Sequence, residues 1–241
     1  MEKFIIAFDL HSSFQDPRTV DAFFDFKRSF RPTINILGGD IWDLTALRSG
    51  ASGKDYNTSL ADDFKAGADF VKRFKPTAAL FGNHEDRMER IIQNGSGPTR
   101  EYSQILMDNI TELYDKMNIK PISYDKRNYY QLGNYRVIHG SHCGIGAIRT
   151  HAMRYGGNVI HGHVHAPGTY SVPSVDGFKA YSAPCMCQVD YEYNKTNTTA
   201  MGHRNGWIYG IIKRNGKCEV NMAVKDEDLD TFTVATNHKE F

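Results

Sequence analysis

Apolar positions along the chain fall into two periods, and the change from one to the other lays out the fold. A strand is predicted over 3–8 on the run Phe4-Ile5-Ile6-Ala7-Phe8, and it delivers Asp9-Leu10-His11 at its end. Asp16-Pro17 has the form of a helix start, with Asp as N-cap and Pro in the first turn. Val20, Phe23, Phe24, Phe26 and Phe30 then recur on one helical face out to Arg31. A second strand, over about 33–38, runs into Gly39-Asp40-Ile41-Trp42-Asp43. Ser59 caps a helix to about Lys75 with Leu60, Phe64, Ala68, Phe70 and Val71 as its stripe, and Pro76 ends it. Thr77–Phe81 is a third strand, delivering Gly82-Asn83-His84-Glu85. Helices are predicted over Asp86–Gln93 and, capped by Thr99, on to about Met117, with a Gly/Ser/Pro break at 94–98 between them. Strands alternating with helices predict an α/β core with parallel pairing, in which ligands gather at the carboxyl ends of strands.

From Pro121 the pattern becomes β. Strands are predicted near 128–132, 135–139, 168–172, 178–182, 207–213 and 217–223, with hairpin turns at Gly133-Asn134, Asp176-Gly177 and Asn215-Gly216. A small helix over about 145–155 leads to Asn158-Val159-Ile160 and then His161-Gly162-His163-Val164-His165. Two polar stretches, 44–58 and 183–206, show no period. They are candidates to rim a cleft, the second through Tyr191, Tyr193 and His203. The acidic residues after Val224 (Asp226, Glu227, Asp228, Asp230) predict a solvated face or frayed tail over about 225–241.

Composition narrows the function classes. At 241 residues the chain reads as a single domain, 1–241. A net charge of +1 gives no global field to recruit nucleic acid or a membrane surface. No stretch approaches the ~20 apolar residues of a membrane span, and the N-terminal apolar run stops at Asp9, too soon for a secretory signal. Four cysteines (Cys143, Cys185, Cys187, Cys218) are sparse for this length and read as reduced structural thiols in a cytoplasmic protein.

The candidate chemistry lies at the strand ends. In order they are Asp9-x-His11, Gly39-Asp40-x-x-Asp43, Gly82-Asn83-His84-Glu85, His139-Gly140 and Gly162-His163-x-His165. Each supplies Asp, Asn or His, the ligand types of borderline divalent metals, and no thiolate is among them. Such a set suits a two-metal hydrolytic centre, in which paired ions clamp a phosphoryl group and make hydroxide from water.

These five motifs, in this order and over about 9–165, resemble the calcineurin-like metallophosphoesterase superfamily. Gly82-Asn83-His84-Glu85-x-Arg87 and the Tyr/Gly/Trp-rich C-terminal β region resemble its small stand-alone members, often encoded by bacteriophages and their hosts. The resemblance implies a two-sheet core flanked by helices, in a four-layer α/β/β/α arrangement. It implies that Asp9, His11 and His165 hold one metal, that Asn83, His139 and His163 hold the other, and that Asp40 bridges both. His84 then stands over the substrate and protonates the leaving oxygen, and Asp43 orients His84 and raises its pKa. Asp43 is followed by Leu44-Thr45 where the superfamily's phosphoprotein phosphatases have Arg-Gly, which argues against that activity.

The expected function is hydrolysis of a phosphate ester by metal-bound hydroxide, with a phosphodiester of a small nucleotide-like molecule favoured over a monoester. A DNA or RNA nuclease is the main rival, although positive charge is thin for one, and a non-catalytic scaffold is the least favoured. Manganese is the favoured metal, with iron, zinc, cobalt and nickel compatible with the same donors. Arg87, one helical turn beyond His84, is a candidate phosphate contact, and Trp42 a candidate stacking surface for a base. His161 alternates away from His163 and reads as a supporting residue, while His142 and His151 are candidates for the site edge.

Overall fold

The computed structural model describes residues 1–48, 50–51, 58–189, 202–226 and 228–234. Tyr191 and Tyr193, the middle of the loop at 44–58 and the end of the acidic tail lie outside the described residues. In chain order the elements are β1 (Glu2–Ala7), α1 (Pro17–Phe30), β2 (Ile34–Leu37), α2 (Leu60–Phe74), β3 (Ala78–Ala79), α3 (Asn83–Asn94), α4 (Gly97–Asp115), β4 (Tyr130–Leu132), β5 (Tyr135–Ile138), α5 (Ala147–Tyr155), β6 (Asn158–His161), β7 (Gly168–Ser171), β8 (Lys179–Ser182), β9 (Gly206–Ile212), β10 (Cys218–Asp226) and β11 (Thr231–Thr233).

Two mixed sheets form. One has the order β11-β10-β9-β1-β2-β3, the other β4-β5-β6-β8-β7. The alternation of β1 sorts its side chains between two layers. Ile5 and Ala7 pack with Phe23, Phe74 and Val71 of α1 and α2. Phe4 and Ile6, with Phe8 just beyond, face the other sheet and pack with Val137, Ile160 and Tyr181. On the far side of the second sheet, Val159 and Ala180 pack on Ala152 of α5. The result is the helix–sheet–sheet–helix layering expected from the motifs. Among the described residues no helix is long and apolar enough to cross a membrane.

Register brings the chemistry together. β1 pairs parallel with β2, Phe4 opposite Ile34 and Ala7 opposite Leu37. The ladder continues past both strands: Asp9 N–H donates to Gly39 O (3.2 Å) and His11 N–H to Asp40 O (3.0 Å). β5 and β6 are likewise parallel, and Gly162 N–H donates to His139 O (2.9 Å). The parallel core strands of each sheet therefore release their motifs at one common edge, while the hairpin turns lie elsewhere.

Helix starts follow local chemistry, twice differing from expectation. Asp16 and Ser59 cap α1 and α2 as predicted, accepting from Thr19 N–H and Asp62 N–H. α3 begins three residues before the expected Asp86, because the Glu85 carboxylate reaches back to Gly82 N–H (2.7 Å) and closes the first turn there. Asn83 and His84 thus sit in a helical turn. α4 begins at Gly97, with Pro98 in its first turn, ahead of the expected Thr99 cap. The acidic tail also departs from a simple frayed end: Asp226 Oδ1 accepts from Asp228 N–H and Leu229 N–H, forming a turn that lets β11 pair with β10.

Candidate metal centre

Five residues of the strand-end motifs hold left-handed backbone: Asp9 (φ 52°), His11 (51°), Asp40 (52°), His163 (72°) and His165 (56°). None is glycine, so each such residue costs roughly 1–2 kcal/mol that the surroundings must offset. The strain coincides with the residues whose side chains converge.

Asp9 and Asp40 are buried, and each carboxylate accepts a backbone N–H from a different motif. Asp9 accepts from His163 N–H (2.9 Å to Oδ2), and Asp40 Oδ1 accepts from His84 N–H (2.9 Å). A Cβ on Gly82 would lie 2.1 Å from Asp40 Oδ1, and one on Gly39 would lie 2.7 Å from His139 Nδ1, so side chains there would displace the site itself. Glu85 has no role in the sequence reading, yet it organises this corner. It is fully buried, and its carboxylate accepts from Asp40 N–H (3.1 Å), Ile41 N–H (2.8 Å), Trp42 N–H (3.2 Å) and Gly82 N–H. Asp63 of α2 does the same one turn away, accepting from Ser13 N–H (3.3 Å) and Leu44 N–H (3.2 Å). In the sequence Asp63 is an acidic residue in a helix's first turn, and Glu85 lies just ahead of the helix start expected at Asp86.

The histidines close the site from the other sheet. His139 Nδ1–H donates to Gly38 O (3.0 Å), leaving Nε2 to face Asp40 Oδ2 (3.2 Å) and Asn83 Oδ1 (3.1 Å). Such a fixed tautomer, one nitrogen on a carbonyl and the other free, is typical of metal-binding imidazoles. His163 joins Asp40 and His139 in a group whose donor atoms all lie within 4.8 Å of one another. On the other side, His11 Nε2 and His165 Nε2 are 3.3 Å apart, and His165 Nε2 is 3.5 Å from Asp9 Oδ1. Asp40 also groups with His11 and His84. All seven expected ligands are therefore brought to one cleft.

Asp43 meets His84 chiefly through its backbone carbonyl, while its carboxylate serves a second histidine. Its carboxylate bonds His11 Nδ1 (2.8 Å) and takes the Thr45 hydroxyl. It lies 3.6 Å from His84 Nδ1, which instead donates to the Asp43 backbone carbonyl. Burial, reinforced by His11 and Arg87, pushes His84 down to about 4, although Asp40 and Asp43 both act to raise it. In the metal-free site His84 is neutral.

Two candidate substrate contacts are turned elsewhere. Arg87 Nη1 donates to Asp43 O (3.1 Å) and Leu44 O (3.0 Å), so its guanidinium braces the loop. Trp42 is fully buried, stacks on Phe64, meets Tyr114 edge-on and donates from Nε1 to Phe64 O (3.2 Å). It is core, unavailable to a base. Conversely, two cysteines read as structural reach the site: Cys187 Sγ lies 3.7 Å from His165 Nδ1, and exposed Cys143 Sγ lies 3.1 Å from His163 Nε2. The rings of His203 and His165 are 5.1 Å apart.

The charges fit cations. Burial pushes the Asp9 carboxyl up, but His165 and His139 outweigh it and hold it at about 2. Asp40 is likewise held well below the carboxylate range, chiefly by His139 and His84 against burial. Burial would lower His139, but Asp40 at 3.2 Å raises it to about 9, so a proton there balances the buried carboxylate. Two ionised buried carboxylates beside imidazoles and an amide are a donor set that divalent ions match.

No family model matches the chain, and no curated protein matches it. Among solved structures it is similar to Yfce, a phosphoesterase from E. coli, at 13% identity over 96% of this chain and 97% of that one, with a TM-score of 0.45. It is also similar to Vacuolar Protein Sorting 29 from Cryptosporidium parvum, at 11% identity over 92% of this chain and 97% of that one, with a TM-score of 0.46.

Proposed function

We propose that this chain is a two-metal phosphoesterase of the calcineurin-like metallophosphoesterase type, acting on phosphodiesters of small nucleotide-like molecules with manganese as its metal. One observation carries the reading. Asp40, buried and held ionised, belongs both to a donor group with His139 and His163 and to one with His11. A carboxylate so placed offsets two neighbouring cations. Asp9, His11 and His165 complete one position, and Asn83, His139 and His163 the other. Divalent ions there would supply Lewis acidity toward a phosphoryl oxygen and water acidic enough to attack phosphorus.

The chain's own residues do the rest. Asp43 fixes the tautomer of His11 so that Nε2 faces inward. The Asp43 carbonyl holds His84 by Nδ1–H, leaving Nε2 directed toward Asp40, 3.8 Å away. A phosphate bound beside His84 raises its pKa from about 4, and the ring then holds a proton on Nε2 for the leaving oxygen. Four free thiols are in keeping with a cytoplasmic protein.

The test is a panel of metal-reconstituted protein against aryl phosphate mono- and diesters, cyclic nucleotides, and single- and double-stranded DNA. Manganese-supported hydrolysis of diesters and cyclic nucleotides is the expected result. DNA cleavage with steep salt dependence would replace it with the nuclease reading. Loaded protein that cleaves no ester would sink both.

A further inference from the structure

Three elements meet behind the second ligand group: the loop that follows β5 with His139-Gly140-Ser141, the middle of α5, and the end of β6 leading into His163. Two histidines fill the junction. His151 of α5 is 1% exposed and His161 of β6 is 0% exposed, with ring centroids 4.3 Å apart. Neither is used by the proposed reaction.

Hydrogen-bond bookkeeping fixes their tautomers. His151 Nε2 is approached by Ser141 N–H (3.0 Å) and, more weakly, by His142 N–H (3.4 Å). Amide N–H groups only donate, so Nε2 carries a lone pair and the proton of the neutral ring is on Nδ1. His161 Nδ1 lies 2.8 Å from Gly162 O. A carbonyl only accepts, so Nδ1 carries the proton and Nε2 the lone pair. The two remaining atoms, a donor on His151 Nδ1 and an acceptor on His161 Nε2, are both buried without a hydrogen-bond partner among the described residues. Buried polar atoms are rarely left so. Here the orphans are of opposite kind and sit on adjacent rings.

We infer that His151 Nδ1–H and His161 Nε2 are each other's partner, and that the two act as positioning residues tying the loop that carries His139 to the loop that carries His163. The two rings are adjacent, with centroids 4.3 Å apart and planes inclined at 50°, and no other group competes for either atom among the described residues. The chain then runs Ser141 N–H to His151, His151 to His161, and His161 to Gly162 O, so the backbone on either side of both ligands shares one network. The inference rests on the reading of His139 and His163 as metal ligands. Its structural part, the ring pairing, stands apart from it.

The deciding measurement is nitrogen-resolved imidazole NMR of the full metal-free chain. Both rings are expected to be neutral with the proton on Nδ1, and His161 Nε2 to show the shift of a hydrogen-bond acceptor. A proton on Nε2 of either ring overturns the pairing. Alongside it, manganese titration by competition should show His151→Phe weakening the second ion about tenfold while leaving the first unchanged. His151→Gln, which restores a donor and an acceptor, should recover most of that loss. Equal affinity in the Phe variant, or a Gln variant no better than Phe, reduces the histidine to packing and overturns the positioning role. If the Phe variant does not fold, the wild-type spectrum still decides the pairing. A wild-type chain that takes up no metal refutes the two-metal reading and leaves the tautomers to be read by themselves.

Discussion

The cleft has an acidic half and a histidine half, built by different means. The acidic half comes from the six-stranded sheet, where Asp9, Asp40 and Asp43 are buried at the ends of β1 and β2. The histidine half comes mostly from the five-stranded sheet, through His139, His163 and His165. Buried carboxylates are costly unless bonded, and the acidic half is densely supported: Glu85 takes four backbone N–H groups and Asp63 two. The histidine half is held more lightly, by single bonds such as His139 to Gly38 O and by ring contacts such as His139 with His163 at 5.4 Å. One half therefore supplies charge at a standing electrostatic cost. The other supplies donors whose direction is set by tautomer. Without metal, the proton on His139 is what reconciles them.

The largest expected effect comes from removing the charge the halves share. Asp40→Asn should weaken both metal sites together and lower hydrolysis by roughly three orders of magnitude or more, read by metal content and steady-state rate on one preparation. Loss of a single ion would end the bridging assignment. His84→Asn comes next. It lies between the halves without belonging to either, so both metals should be retained while turnover falls by about 10²–10³-fold. The fall should be larger for poor leaving groups than for an activated aryl ester. If metal content drops instead, His84 is a ligand, as its place in a donor group with His11 and Asp40 would then require.

The same contrast explains what was legible in the chain. The candidate ligand motifs could be picked out because each sits just past an apolar run, and strand ends follow from periodicity. The layering was implied by the resemblance the motifs carry, and the alternation of β1 is what builds it. What supports the acidic half could not be read. In sequence Asp63 is an ordinary first-turn acid and Glu85 lies just ahead of an expected helix start, and only the fold places the loops of Asp40 and Leu44 against them. That the Asp43 carboxylate also serves His11 could not be read, because three-residue spacing says nothing about which of two rings it meets first, and β1 brings His11 closer. Trp42 and Arg87 were offered to the substrate because both neighbour the motifs. Burial of the indole and the two carbonyls on the guanidinium send them the other way. Cys187 lies twenty-two residues past His165, and backbone bonds such as Met186 N–H to Asp9 O (3.1 Å) and Gln188 N–H to Phe14 O (2.8 Å) bring that segment under the site.

The smallest expected effect tests whether the acidic half carries its cost in its supports. Burial, and then the neighbouring Asp43 charge, raise the Asp63 carboxyl from 3.8 to about 6. The folded chain therefore binds this proton more tightly than the unfolded one. That contribution to stability is fully present below pH 3.8 and is lost as pH rises through about 6. Asn at this position stays neutral and keeps one acceptor, so it loses part of the Ser13 and Leu44 bonding but none of its stability to ionisation. Urea unfolding of the metal-free protein should then show wild type favoured at low pH. The gap to Asp63→Asn should narrow or reverse across that window by up to about 3 kcal/mol. A gap that is flat with pH would mean that the two backbone N–H donors fully offset the burial of the charge, and that the acidic half is balanced locally rather than through the histidines.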